Sequence, residues 1–132
     1  IAAAGLVLAA HCGPPDVEKT HPWRIARLSQ LFPALRVLIV HMGGAGQADV
    51  SDAAIALAGD HPGWYLVDSE VDYRSAQRAV RRLGAERVCY GSDSHFCDMR
   101  YEWAIRQVTY QDLQPAERDA IMGGNIVRLL GL

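Results

Sequence analysis

The chain has 132 residues, about one ordinary domain, with half of them apolar and 21% charged, which excludes a disordered or low-complexity polymer. A formal charge of -2 and a pI near 6.2 give no basic footprint for nucleic acid or an anionic membrane. No apolar run approaches the roughly 18 residues of a membrane span. The apolar start, Ile1 to Ala10, lacks the basic segment of a signal peptide, so Ile1 is read as an internal position of a longer polypeptide. Cys12, Cys89 and Cys97 have no CxxC spacing, which predicts reduced thiols in a cytoplasmic protein rather than a disulfide framework. Cys89 reads as core; Cys12 and Cys97 stand near the candidate site, as packing or as metal contacts.

Strands and helices alternate along the chain. A strand over 6–11 ends on His11, and a proline-bearing loop over 12–20 follows. A helix over 22–32 has Thr20 or His21 at its cap and Pro22 in its first turn. Ile25, Leu28, Leu31 and Phe32 form its apolar stripe, and Pro33 ends it. The run over 36–41, Val-Leu-Ile-Val ending on His41, predicts a strand buried on both faces. Gly43, Gly44 and Gly46 then turn the chain into a helix over 49–58 that stops at Gly59. A third strand over 64–68 leads through Ser69 into a helix over 73–83, with Ala76, Ala79, Val80 and Leu83 inward and Gly84 as its stop. The fourth strand, 87–91, opens into Gly91-Ser92-Asp93. Helices near 101–109 and from Pro115 follow, and a last turn over 125–130 is capped by Asn125. Four strand–loop–helix units imply half of a TIM-type (β/α)8 barrel or a small doubly wound sheet. No GxGxxG or phosphate loop follows any strand, which favours the half barrel.

Two histidines and an aspartate at strand exits point to one site on one rim, because this fold gathers its catalytic residues there. Each candidate carries two readings. His11 is a metal ligand or a hydrogen-bonded strand end. His41 repeats that pattern, which strengthens the functional reading of both. Asp93 completes a metal site and moves a proton, or caps a turn. His95 is a pocket residue or a surface loop histidine; Ser69 binds substrate or caps. His21 and His61, each before a proline, are structural. Tyr90, Phe96 and Trp103 line an apolar pocket or belong to the core. No Gly-x-Ser-x-Gly elbow supports a serine hydrolase.

The run Leu31-Phe32-Pro33-Ala34-Leu35-Arg36-Val37-Leu38-Ile39-Val40-His41-Met42-Gly43-Gly44 resembles the amidohydrolase superfamily, in its amidohydrolase-related, decarboxylase-like branch. Similar stretches are Leu83 to Val88 leading to Gly91-Ser92-Asp93, Tyr65 to Ser69, and Gly124 to Leu132. The resemblance spans the chain and implies strands five to eight, the C-terminal half of the barrel, with residues 1–132 as one partial domain. It implies a divalent metal, most often zinc, with His11 and Asp93 as ligands. His41 would be the acid or base of decarboxylase-like members, or a ligand in others. The first-strand His-x-His or Glu-x-His of the family is absent, which predicts that further ligands lie upstream of Ile1.

The activity implied is hydrolysis of an amide, lactone or ester by activated water, with Asp93 taking the proton and His41 serving the oxyanion or leaving group. A second reading is non-oxidative decarboxylation of an aromatic or unsaturated carboxylic acid. A third is a non-catalytic half barrel that dimerises. The partners expected are a small carboxylic acid, amide or lactone and, for the open sheet edges, the missing N-terminal half or a second copy.

Overall fold

The computed structural model describes residues 1–94, 105, 108, 109 and 111–132. The short apolar runs form four parallel strands: β1 (Val7–His11), β2 (Arg36–Val40), β3 (Trp64–Val67) and β4 (Val88–Cys89), in that spatial order. Val7 pairs with Arg36, Leu38 with Tyr65, and Val67 with Cys89, so all four chains leave the sheet on the same side. The helices are α1 (Val17–Thr20), α2 (Pro22–Leu31), α3 (Ala48–Asp60), α4 (Tyr73–Leu83), α5 (Pro115–Asp119) and α6 (Asn125–Leu130). Among the described residues no helix is long and apolar enough to cross a membrane.

Side chains alternate across a strand, and burial alternates with them. Val37 and Ile39 of β2, and Trp64 and Leu66 of β3, are wholly buried. The residues between them, Leu38, Val40, Tyr65 and Val67, are half-buried. One sheet face therefore packs under helices, whose inward residues are small: Ala26 on α2, Ala54 and Ala58 on α3, Ala76 and Ala79 on α4. The strand buried on both faces that the Val-Leu-Ile-Val run predicts is corrected to one sealed face and one partly open face.

The apolar stripe of α2 is corrected as well. Pro22, Ala26 and Ser29 point inward, because the indole Nε1 of buried Trp64 donates to Ser29 Oγ at 2.8 Å and draws that face to the sheet. Leu28, Leu31 and Phe32 are exposed. Leu28 and Phe32 instead line an apolar groove of about 360 Å³ beside β1, with Ile1, Leu8 and Leu35.

Gly59 does not stop α3, which runs on to Asp60 and ends where His61 N–H bonds back to Ala58 O. Strand β4 is two residues long rather than five, since the Tyr90 N–H turns away to Ile121 O at 2.8 Å. Asn125 is no cap: a widened turn at 120–124 runs straight into α6. Its buried amide donates to Ala85 O at 2.8 Å and Val88 O at 2.5 Å, pinning α6 beneath β4. The loop predicted over 12–20 contains α1, whose first turn Asp16 caps through Lys19 N–H. His21 caps α2, accepting from Trp23 N–H, and His61 stacks on Trp64, both structural as expected. His95, Phe96, Cys97, Trp103 and most of the helix expected near 101–109 lie outside the described residues.

Candidate metal centre at the strand exits

The shared direction of the strands delivers three loops to one rim. The β2 exit carries His41 in a tight turn, buried and only 4% exposed. That turn needs Gly43, at φ 82, because a Cβ there would meet Pro22 Cγ at 2.5 Å and Ala54 Cβ at 2.9 Å. The glycines after His41 thus seat α2 and α3 against the rim.

Ser69, at the β3 exit, is buried against His41. Its carbonyl oxygen lies 3.1 Å and its hydroxyl 3.0 Å from His41 Nδ1. A carbonyl can only accept, so Nδ1 carries a proton. Ser69 therefore orients the imidazole through both its carbonyl and its hydroxyl. Glu70 follows, with Oε2 at 3.8 Å from His41 Nδ1.

Asp93 arrives from β4 on a loop held by a residue the sequence pattern does not single out. Asp68, 1% exposed, accepts the Gly91 N–H on Oδ1 at 2.8 Å, while its own N–H donates to Cys89 O at 3.0 Å. Burial pushes its carboxyl up to about 7, against the Gly91 N–H, which favours the charged form. Oδ2 has no partner among the described residues. Gly91 passes so close that a Cβ would meet Val67 Cγ1 at 2.5 Å. Among the described residues the Ser94 N–H goes to Ser92 Oγ at 3.1 Å rather than to Asp93.

One donor atom each from His41, Glu70 and Asp93 lies within 4.8 Å of the other two. An imidazole and two carboxylates are a donor set suited to a borderline or hard divalent ion, so the residues fit the metal that the resemblance implies. His11 sits at the margin: exposed, its ring 5.0 Å from that of His41 at 83°, with Nε2 bonded to Pro14 O at 3.1 Å. The bond to a carbonyl again puts a proton on the bonded nitrogen, here Nε2. Cys12, next in sequence, points the other way into the core, where burial pushes its thiol up to about 11. It packs rather than ligates. Burial likewise pushes Cys89 to about 12.

The profile of the family described as amidohydrolase matches residues 1–132. This chain belongs to the amidohydrolase family. Solved structures agree on the fold. Amidohydrolase 2 from Bifidobacterium longum subsp. infantis is 20% identical with a TM-score of 0.74, over 99% of this chain and 52% of that one. Dihydroxybenzoic acid decarboxylase from Polaromonas sp. JS666, with bound manganese and the inhibitor 2-nitroresorcinol, is 17% identical with a TM-score of 0.73, over 99% and 51%. The 5-carboxyvanillate decarboxylase LigW from Sphingomonas paucimobilis is 16% identical with a TM-score of 0.70, over 100% and 51%. The chain thus spans about half the length of these proteins, and its sheet is part of a TIM-type barrel. No curated protein sequence matches it significantly. Within the amidohydrolase fold, the rim carrying His41, Glu70 and Asp93 is the side on which barrel enzymes build their active sites.

Proposed function

We propose that this rim holds a divalent metal and works on a small carboxylic acid or on its amide, lactone or ester. The reading rests on the convergence of His41, Glu70 and Asp93 within 4.8 Å at three successive strand exits. His11, at the exit of β1, and Asp93 are assigned as ligands, in keeping with the family resemblance, and the strands as five to eight of the barrel. Zinc is the ion first expected; manganese in the Polaromonas decarboxylase gives it a direct competitor. When bound, the ion supplies Lewis-acid polarisation of a carbonyl and acidifies water.

The residues of the chain do the rest. Asp93 takes a proton at its carboxylate, on a loop tied down through Gly91 and Asp68. His41, fixed by Ser69 at Nδ1, presents Nε2 to accept or deliver a proton at the reacting carbon or leaving group. His95 remains a candidate substrate contact at the same loop.

Hydrolysis is the first reading. The second, loss of carbon dioxide from an aromatic or unsaturated acid with His41 or Asp93 protonating the carbon, is supported by the decarboxylases among the structural neighbours. The test uses the full-length, metal-loaded protein against hydroxylated benzoates and against simple lactones and amides. Release of carbon dioxide identifies the lyase; new carboxylate without it identifies the hydrolase. Turnover of neither class, together with a stable dimer of the 132-residue chain that takes up no metal, returns the non-catalytic half barrel.

A further inference from the structure

Glu70 has no role in the family resemblance, and a sequence reading takes Ser69-Glu70-Val71-Asp72 for the lead into α4. The geometry gives it more. Its carboxylate stands 3.8 Å from His41 Nδ1 and reaches the same small volume as Asp93. Five non-glycine residues have positive φ among those described: His41, Met42, Ala45, Glu70 and Asp93. Three of the five are the residues whose donor atoms converge, at φ 58, 56 and 53. Left-handed backbone is unfavourable for an ordinary L-residue, whose Cβ crowds the following carbonyl oxygen. A glycine would relieve it, yet the chain carries a histidine, a glutamate and an aspartate there. Strain that recurs on three side chains aimed at one point marks a functional constraint rather than three unrelated turns.

We propose that Glu70 is a ligand to the divalent cation, so that the exits of β3 and β4 supply two carboxylate donors, Glu70 and Asp93, beside the His41 imidazole. The assignment rests on the metal-site reading above. Two carboxylates balance the charge of a dication, and the oxygen-rich set favours zinc or manganese over soft ions. Donors around one ion stand about 3–4 Å apart at metal–ligand distances near 2 Å. Glu70, the longest of the three side chains, is 23% exposed, and its donor atom already lies within 4.8 Å of the other two.

The test is calorimetric titration of the metal-free, full-length protein with zinc chloride and with manganese chloride. Wild type is compared with Glu70→Gln and Asp93→Asn, each first checked for its metal-free thermal midpoint. Glu70→Gln keeps the shape and removes the charge; the expected result is at least tenfold weaker binding of both ions. The cobalt-loaded variant should also change its visible absorption, because a carboxylate has left the coordination sphere. Wild-type affinity and an unchanged cobalt spectrum in Glu70→Gln, with Asp93→Asn weakened, overturn the Glu70 assignment and leave the metal reading standing. No binding by wild type, or equal binding by all three proteins, removes the metal reading and this assignment together. Should Glu70→Gln lower the metal-free midpoint, Glu70→Asp keeps the charge and shortens the reach. Weakened binding there supports the proposal, and unchanged binding overturns it.

Discussion

The two ends of this sheet are both polar, and they use polarity in opposite ways. At the end where the strands begin, long donors saturate backbone carbonyls. Arg87 bonds Trp64 O, Ala58 O and His61 O at 2.5, 3.1 and 2.8 Å, and Arg36 bonds Leu129 O at 2.6 Å and Gly5 O. Asn125 does the same for Ala85 O and Val88 O. At the end where the strands finish, His41, Glu70 and Asp93 turn toward one another on strained backbone. One end sews the fold together; the other keeps reactive groups close together. The division follows the general rule for β/α barrels, stability at one rim and chemistry at the other.

Substitutions at the two ends should therefore separate activity from stability. The largest effect is expected from Asp93→Asn in the full-length enzyme: turnover falls by about 10²–10⁴-fold, with the thermal midpoint nearly unchanged. Retained activity with a collapsed midpoint would make Asp93 structural and erase the contrast. Arg87→Ala is its mirror image, costing about 2–4 kcal/mol in chemical denaturation through three carbonyls that lose a charged donor. Its intact fraction should still bind metal with wild-type affinity.

Gly91→Ala probes the boundary. Its Cβ would press on Val67 Cγ1 at 2.5 Å and Ser69 Cβ at 3.1 Å, so the Asp93 loop must shift. Metal affinity is expected to fall by about tenfold, for a stability loss of about 1–2 kcal/mol. A variant that loses stability alone would show that the loop position does not matter to the ion.

Asp68 gives a pH signature. Its carboxyl, raised by burial to about 7, favours the protonated form in the fold. Its contribution is therefore present at low pH and is lost as pH rises from the ordinary carboxylate range through about 7. Asp68→Asn cannot ionise, so the metal-free variant should lose less stability than wild type between pH 5 and pH 8 in urea titrations. Parallel curves would show that Asp68 is charged throughout. The smallest effect is expected away from both ends. Asp52→Ala removes an exposed ion pair with Arg78 at 2.8 Å and should cost less than about 1 kcal/mol.

Much of this was legible in the residues, for identifiable reasons. Short apolar runs alternating with alanine-rich helical patterns carry the layer order, and α4 matches its predicted bounds because Asp72 and Gly84 flag both ends. The α2 face was not legible: Leu28, Leu31 and Phe32 have the size of core residues, but they flank the β1 edge, where the described residues offer them no cover. Asn125 looked like a cap because the widened turn before it has no sequence signature. At the rim, His41 and Asp93 stand out as the first titratable residues of their loops. Glu70 hid behind Ser69 and resembled helix lead-in, and Asp68 looked like the last residue of a strand. The signal that could have found Glu70 is positional, since each of the four strands is followed, at its end or within four residues, by a histidine or an acid.

The most direct test of the central claim, that the strand exits form a metal centre, is a crystal structure of the full-length protein soaked with manganese, with an anomalous difference map. The account predicts one strong peak within about 2.0–2.4 Å of donor atoms from Asp93 and its neighbours on that rim. A map with no peak there, or with its strongest peak elsewhere in the protein, would contradict it.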